Sequence, residues 1–153
     1  MLIKSGQEAL FVAIEMERGA IQLYERALML TDQNDPNHRE LRQQIAIILN
    51  DEQEHLTQFQ TLYEGLDDAA EKRLMLAAVA SSVLFEGGLM NAVRQGMLRD
   101  REGLLEFAVQ AEKKAAETYR EFARACGDKN AADVLNGIAA EEDKHLHTLR
   151  NYY

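Results

Sequence analysis

The chain has 153 residues with one proline, nine glycines and no tryptophan, enough length for one domain with a core of its own and a scarcity of breakers that favours long helices. A formal net charge of -9 disfavours nucleic acid and anionic membrane surfaces as partners and favours cations, without naming the cation. The single cysteine, Cys126, excludes an internal disulfide and a cysteine-only metal centre; beside Gly127 it reads as a small apolar residue at a helix end.

Met1 to Gly6 carries one lysine and no apolar run of the length a secretory signal needs, so a cytoplasmic location is expected. Ser5 with Glu8 forms a capping-box pattern that opens a first helix running to about Leu30. Asp35-Pro36 offers an N-cap and a first-turn proline for a second helix from Asn37 to about Glu64, and the short link makes the two antiparallel neighbours. Gly65 to Arg99 is too long for a turn and too apolar for a disordered linker. Asp68 with Glu71 resembles another cap, so one or two short helices are expected there, broken at Gly87-Gly88. The most apolar stretch, Leu74 to Phe85, is far short of a membrane span and contains Ser81 and Ser82. Asp100 caps a helix from Arg101 to Cys126; Gly127 stops it, and Asp128 starts the last helix, which runs to about Arg150. The expected fold is all-α: one domain over 1–153, a four-helix bundle with a long, partly helical crossover between its second and third helices.

Two patterns occur twice. Ala13, Ile14, Glu17, Ala20 and Tyr24 are matched 95 residues on by Ala108, Val109, Glu112, Ala115 and Tyr119, four of the five being identical. Ile48, Glu52, His55 and Leu56 are matched 90 residues on by Ile138, Glu142, His145 and Leu146 without exception. The chain therefore reads as two helix hairpins of common pattern, related by a pseudo-twofold.

Helical spacing turns these patterns into a site. At about 100° per residue, Glu52 and His55 stand about 60° apart and one turn along the axis, so both can face one point, and Glu142 with His145 repeats this. Seven residues separate Glu17 from Tyr24 and Glu112 from Tyr119, an offset of only about 20°, which places each tyrosine on its glutamate's face. Ala20 and Ala115 leave room beside the site. Four carboxylates gathered in a bundle core repel and are costly to desolvate unless cations join them. Two divalent ions balance Glu17, Glu52, Glu112 and Glu142, and oxygen with imidazole suits iron or manganese without excluding zinc.

A single Glu-x-x-His on an exposed helix is ordinarily a solvated pair. Two copies in register, each with an upstream glutamate, reverse that expectation. Tyr24 and Tyr119 fit core packing and a supporting hydrogen bond about equally well. Glu15, Glu54 and Glu141 are expected to be surface charges, and His38 and His147 to face solvent.

Ala13-Ile14-Glu15-Met16-Glu17 through Tyr24, Asp51-Glu52-Gln53-Glu54-His55, Ala111-Glu112 through Tyr119 and Glu141-Glu142-Asp143-Lys144-His145 together resemble the rubrerythrin branch of the ferritin-like superfamily. The resemblance covers nearly the whole chain and is weakest from Gly65 to Arg99. It implies two iron ions bridged by Glu52 and Glu142, with Glu17, Glu112, His55 and His145 as terminal ligands. It further implies a redox enzyme that reduces peroxide or dioxygen, with Tyr24 or Tyr119 positioning ligands or donating a proton. The chain departs from the family in two places. It has no rubredoxin segment with paired Cys-x-x-Cys, so the expected electron donor is a separate protein such as a rubredoxin. Ala115 stands where rubrerythrins carry an extra glutamate, which brings the site closer to the symmetric six-ligand centre of bacterioferritin and keeps ferrous-iron oxidation open as a second function. A non-redox helical module with structural metal is a third. The long interval from Glu52 to Glu112 allows a homodimer that exchanges a helix.

Overall fold

The computed structural model describes residues 1–31, 34–84, 93–96 and 98–152. These residues form five helices in the order α1 (Gly6–Leu30), α2 (Arg39–Leu62), α3 (Asp68–Ala80), α4 (Arg101–Ala125) and α5 (Lys129–Arg150), and none of them lies in a strand. No described helix is long and apolar enough to cross a membrane.

Local chemistry sets most of the boundaries. The Ser5 hydroxyl accepts from the Glu8 amide at 3.2 Å and the Glu8 carboxylate accepts from the Lys4 amide at 3.1 Å, so the start of α1 is held from both directions. Asp100 accepts from the Gly103 amide at 2.8 Å at the start of α4. Asp128 accepts from Asn130 and Ala131 at the start of α5. Between these last two helices Gly127 takes φ +68°, a left-handed conformation that ends α4 at low steric cost.

Two starts differ from the sequence reading. Asp35 turns its carboxylate onto the Asn37 amide at 2.9 Å, and the chain makes a tight turn through Pro36 before α2 begins at Arg39, without a side-chain cap at His38. An aspartate that satisfies an amide two residues on builds a turn and is no longer free to cap the helix. The cap of α3 is Asp67, whose carboxylate takes the Ala70 amide at 2.8 Å, one residue earlier than the expected Asp68. The expected break at Gly87-Gly88 lies outside the described residues.

Packing is closest between α1 and α2 and between α4 and α5; α1 also meets α4, and α2 meets α5, over smaller contacts. Two apolar clusters result. One holds Leu10, Phe11, Phe59, Phe122, Leu135 and Ile138, and Leu74 and Ala78 of α3 join it. The other holds Leu23, Leu41, Ile45, Ile48, Leu104, Leu105 and Leu149. On each of the four long helices the residues between these clusters include the glutamates and histidines of the repeated patterns. An ion pair from Arg73 to the half-capping Glu8, at 2.9 Å, fastens α3 to the start of α1. At the other end of α1, the Arg42 guanidinium donates to the carbonyls of Leu28 and Thr31 and closes the helix terminus.

Candidate metal centre

Glu17 comes from α1, Glu52 and His55 from α2, Glu112 from α4, and Glu142 and His145 from α5; each is 5% exposed or less. They form two overlapping groups whose ligand atoms lie within 4.8 Å of one another: Glu17, Glu52, His55 and Glu142, and Glu52, Glu112, Glu142 and His145. Glu52 and Glu142 are shared by both groups.

The imidazoles are turned alike. His55 directs Nδ1 inward, 3.1 Å from Glu142, 3.4 Å from Glu52 and 3.6 Å from Glu17. His145 directs Nδ1 toward Glu52 at 3.2 Å, Glu142 at 3.5 Å and Glu112 at 3.6 Å. Their rings stack at 5.9 Å between centroids. Each outward nitrogen meets a carboxylate on the opposite helix pair: His55 Nε2 bonds Glu141 of α5, and His145 Nε2 bonds Asp51 of α2 at 2.9 Å. With Nε2 held as a donor by its carboxylate, Nδ1 is the ring atom that faces the cluster and, once it has given up its own proton, the atom that can ligate a metal.

The tyrosines are crossed as well. Tyr119 of α4 donates to Glu17 of α1 at 2.8 Å, and Tyr24 of α1 donates to Glu112 of α4. Each serves the glutamate of the other hairpin, although the spacing had placed it on the face of its own. Tyr119 is further held edge-on by Phe59, with 5.4 Å between ring centroids.

The electrostatics are those of a buried cluster of carboxylates and imidazoles. Burial, followed by the charge of Glu52, raises Glu17 well above the usual carboxylate range. Burial and the charge of Glu112 do the same to Glu142, and Glu112 is raised by burial and Glu52. For Glu52 burial acts in the same direction, but the two histidines beside it outweigh burial and hold it at about 2. Burial opposes charge on His55, yet Glu17 and Glu52 push it up to about 10; Glu112 and Glu52 likewise carry His145 to about 11. Burial, with the nearby carboxylates, lifts both tyrosines well above their ordinary value and keeps their hydroxyls as donors.

The donor set fits a bound cation. Among the described residues, nine buried side-chain nitrogen or oxygen atoms lack a hydrogen-bond partner, and seven of them belong to these six residues. They are Glu17 Oε2, both oxygens of Glu52, Glu112 Oε2, Glu142 Oε1 and the Nδ1 atoms of the two histidines. A buried polar atom without a partner costs about 1–3 kcal/mol, so their convergence calls for a group that accepts lone pairs. Oxygen and imidazole donors together suit a divalent metal ion.

Sequence reasoning missed Asp51 and Glu141. Glu141 is not a free surface charge: although exposed, it holds the outer nitrogen of His55. The available signal was an acidic residue immediately before each Glu-x-x-His. Glu54 remains exposed beside Asn50, and Glu15 pairs with Arg18 at 2.6 Å. His147 is exposed, while His38 is half-buried and faces Asp35 at 3.9 Å. Comparison of the chain with protein-family models, with curated proteins and with solved structures finds no match.

Proposed function

We propose that this chain is a ferritin-like four-helix bundle of the rubrerythrin type that holds two iron ions and reduces hydrogen peroxide or dioxygen in the cytoplasm, with electrons from a separate donor protein. The observation that carries the reading is the convergence of seven unpartnered buried donor atoms from six residues. Glu52 and Glu142 belong to both groups and would be held in common by the two ions, with Glu17 and His55 holding one and Glu112 and His145 the other. When bound, the iron pair supplies two electrons for the oxidant and Lewis-acid stabilisation of the charge that develops on it.

The protein's own groups do the rest. Asp51 and Glu141 hold the imidazoles with Nδ1 inward. Tyr24 and Tyr119 fix one oxygen each of Glu112 and Glu17, and their unionised hydroxyls can give a proton to a developing anion. The apolar clusters on two sides of the carboxylates lower the local dielectric and so strengthen the charge interactions among them.

The same arrangement supports ferrous-iron oxidation for storage or transfer. Ala115, in place of a further carboxylate, and the matched ligand sets of the two hairpins favour that second reading.

Anaerobic iron loading with metal analysis, followed by stopped-flow mixing with peroxide and separately with dioxygen, tests both readings. Two irons per chain should bind, be oxidised once, and turn over again only after an external reductant is added. Repeated oxidation of added ferrous ion with mineral formation would favour iron handling. A loaded protein inert to both oxidants would leave a structural metal and overturn the redox proposal.

A further inference from the structure

Beside the carboxylate cluster, where α1 meets α4, the fold leaves a cavity of about 660 Å³. Its floor is the site itself: Glu52, Glu112 and Glu142, with Tyr24 and Tyr119. Its walls include Met16 and Leu23 of α1, Met75 and Val79 of α3, Leu84, and Phe107 of α4. Gly19, Ala20, Ala111 and Ala115 also line it and are too small to close it; a Cβ added at Gly19 would meet nothing within 4 Å. The exposed side chains of Arg18 and Lys114 line it as well, Arg18 being paired with Glu15.

Neither peroxide nor dioxygen accounts for this space. A water-sized group takes roughly 30 Å³, so the cavity has room for on the order of twenty such groups. Concave sites of this size with mainly apolar walls take organic molecules. The unbranched, polarisable side chains of Met16 and Met75 adapt to a flexible occupant, whereas rigid aromatic walls would select a flat one. Arg18 is taken up by Glu15, so among the charged groups of the outer lining Lys114 alone, exposed and so away from the carboxylates of the floor, offers an ammonium to an anionic head group.

We propose that the cavity binds a long-chain aliphatic carboxylic acid, its chain lying along Met16, Leu23, Met75 and Phe107 and its carboxylate at Lys114. The proposal goes beyond the redox reading and stands on the cavity, and metal content measured on the same sample separates failure of one from failure of the other.

Hexadecanoate titrated into the purified protein by calorimetry should bind saturably at one per chain. Gly19→Leu and Ala115→Leu fill the cavity from opposite helices and should each weaken binding at least tenfold while metal content and helical circular dichroism stay unchanged. Lys114→Glu should weaken hexadecanoate several-fold and leave the corresponding alcohol unaffected. Absence of saturable binding to the unmodified protein, the result expected if a second copy closes the cavity, would overturn the proposal. Undiminished binding in both filled variants would overturn it equally. Protein that binds hexadecanoate but no metal would sink the redox reading and leave this one standing.

Discussion

Replacing Glu141 by alanine probes the outer half of the centre. In the intact chain its carboxylate takes the Nε2–H of His55 and leaves Nδ1 facing Glu17, Glu52 and Glu142. Removing it frees the ring to turn and lowers the basicity of the inward nitrogen. Partners of metal-bound histidines are worth about 10- to 100-fold in metal affinity, or roughly 1.4 to 2.8 kcal/mol at about 1.4 kcal/mol per decade. Glu141 has a side chain 49% exposed, so water can replace part of its effect and Glu141→Ala belongs near the tenfold end. Asp51 is less exposed, at 36%, and Asp51→Ala should cost at least as much. Glu54→Ala is the matched control, an exposed carboxylate on α2 that meets Asn50 at 3.4 Å. Competition against a chromophoric chelator for ferrous ion, under anaerobic conditions, reads all three. Affinities of Glu141→Ala and Asp51→Ala equal to that of Glu54→Ala would refute the assignment of these carboxylates to the histidines.

Glu52→Ala and Glu142→Ala each remove an anion common to both ligand groups, and metal analysis should find the paired site lost, with at most one ion retained. At pH 7 the metal-free protein carries protons on His55 and His145, whose values lie at about 10 and 11, and both must leave when Nδ1 binds metal. Loading should therefore release at least two protons per chain in a pH-stat and tighten as pH rises; loading without proton release would contradict the charge assignment. The same shifts make the folded, metal-free chain bind more protons than the unfolded chain above about pH 6.5. Its thermal midpoint should accordingly fall between pH 7 and pH 10 in a calorimetric series, since the histidine contribution is complete below the unfolded value and fades through the folded one. Tyr119→Phe leaves Glu17 Oε1 without its donor and should slow oxidation about 10- to 100-fold with metal content preserved, as read by stopped-flow absorbance. An unchanged rate would reduce Tyr119 to packing.

What the sequence determines by itself is local. Helix starts at Ser5, Asp100 and Asp128, and the stop at Gly127, depend on side chains within three residues of the backbone groups they satisfy, so they are legible one residue at a time. The Glu-x-x-His spacing is legible for the same reason: one turn of one helix decides that Glu52 and His55 share a face. Where two local solutions compete, as when Asp35 chooses a turn over a cap, the reading slips by a residue or two. The tertiary structure decides what crosses between helices. The pairing of Tyr24 with Glu112, of Tyr119 with Glu17, of His55 with Glu141 and of His145 with Asp51 depends on how far each helix is rotated and shifted against its neighbour. That rotation is set by the fit of whole apolar faces, no residue of which carries it alone. The cavity between α1 and α4 belongs to the same class. Ala20 and Ala115 read as room beside a site, but only the approach of α3 and Phe107 turns that room into a cavity with mainly apolar walls.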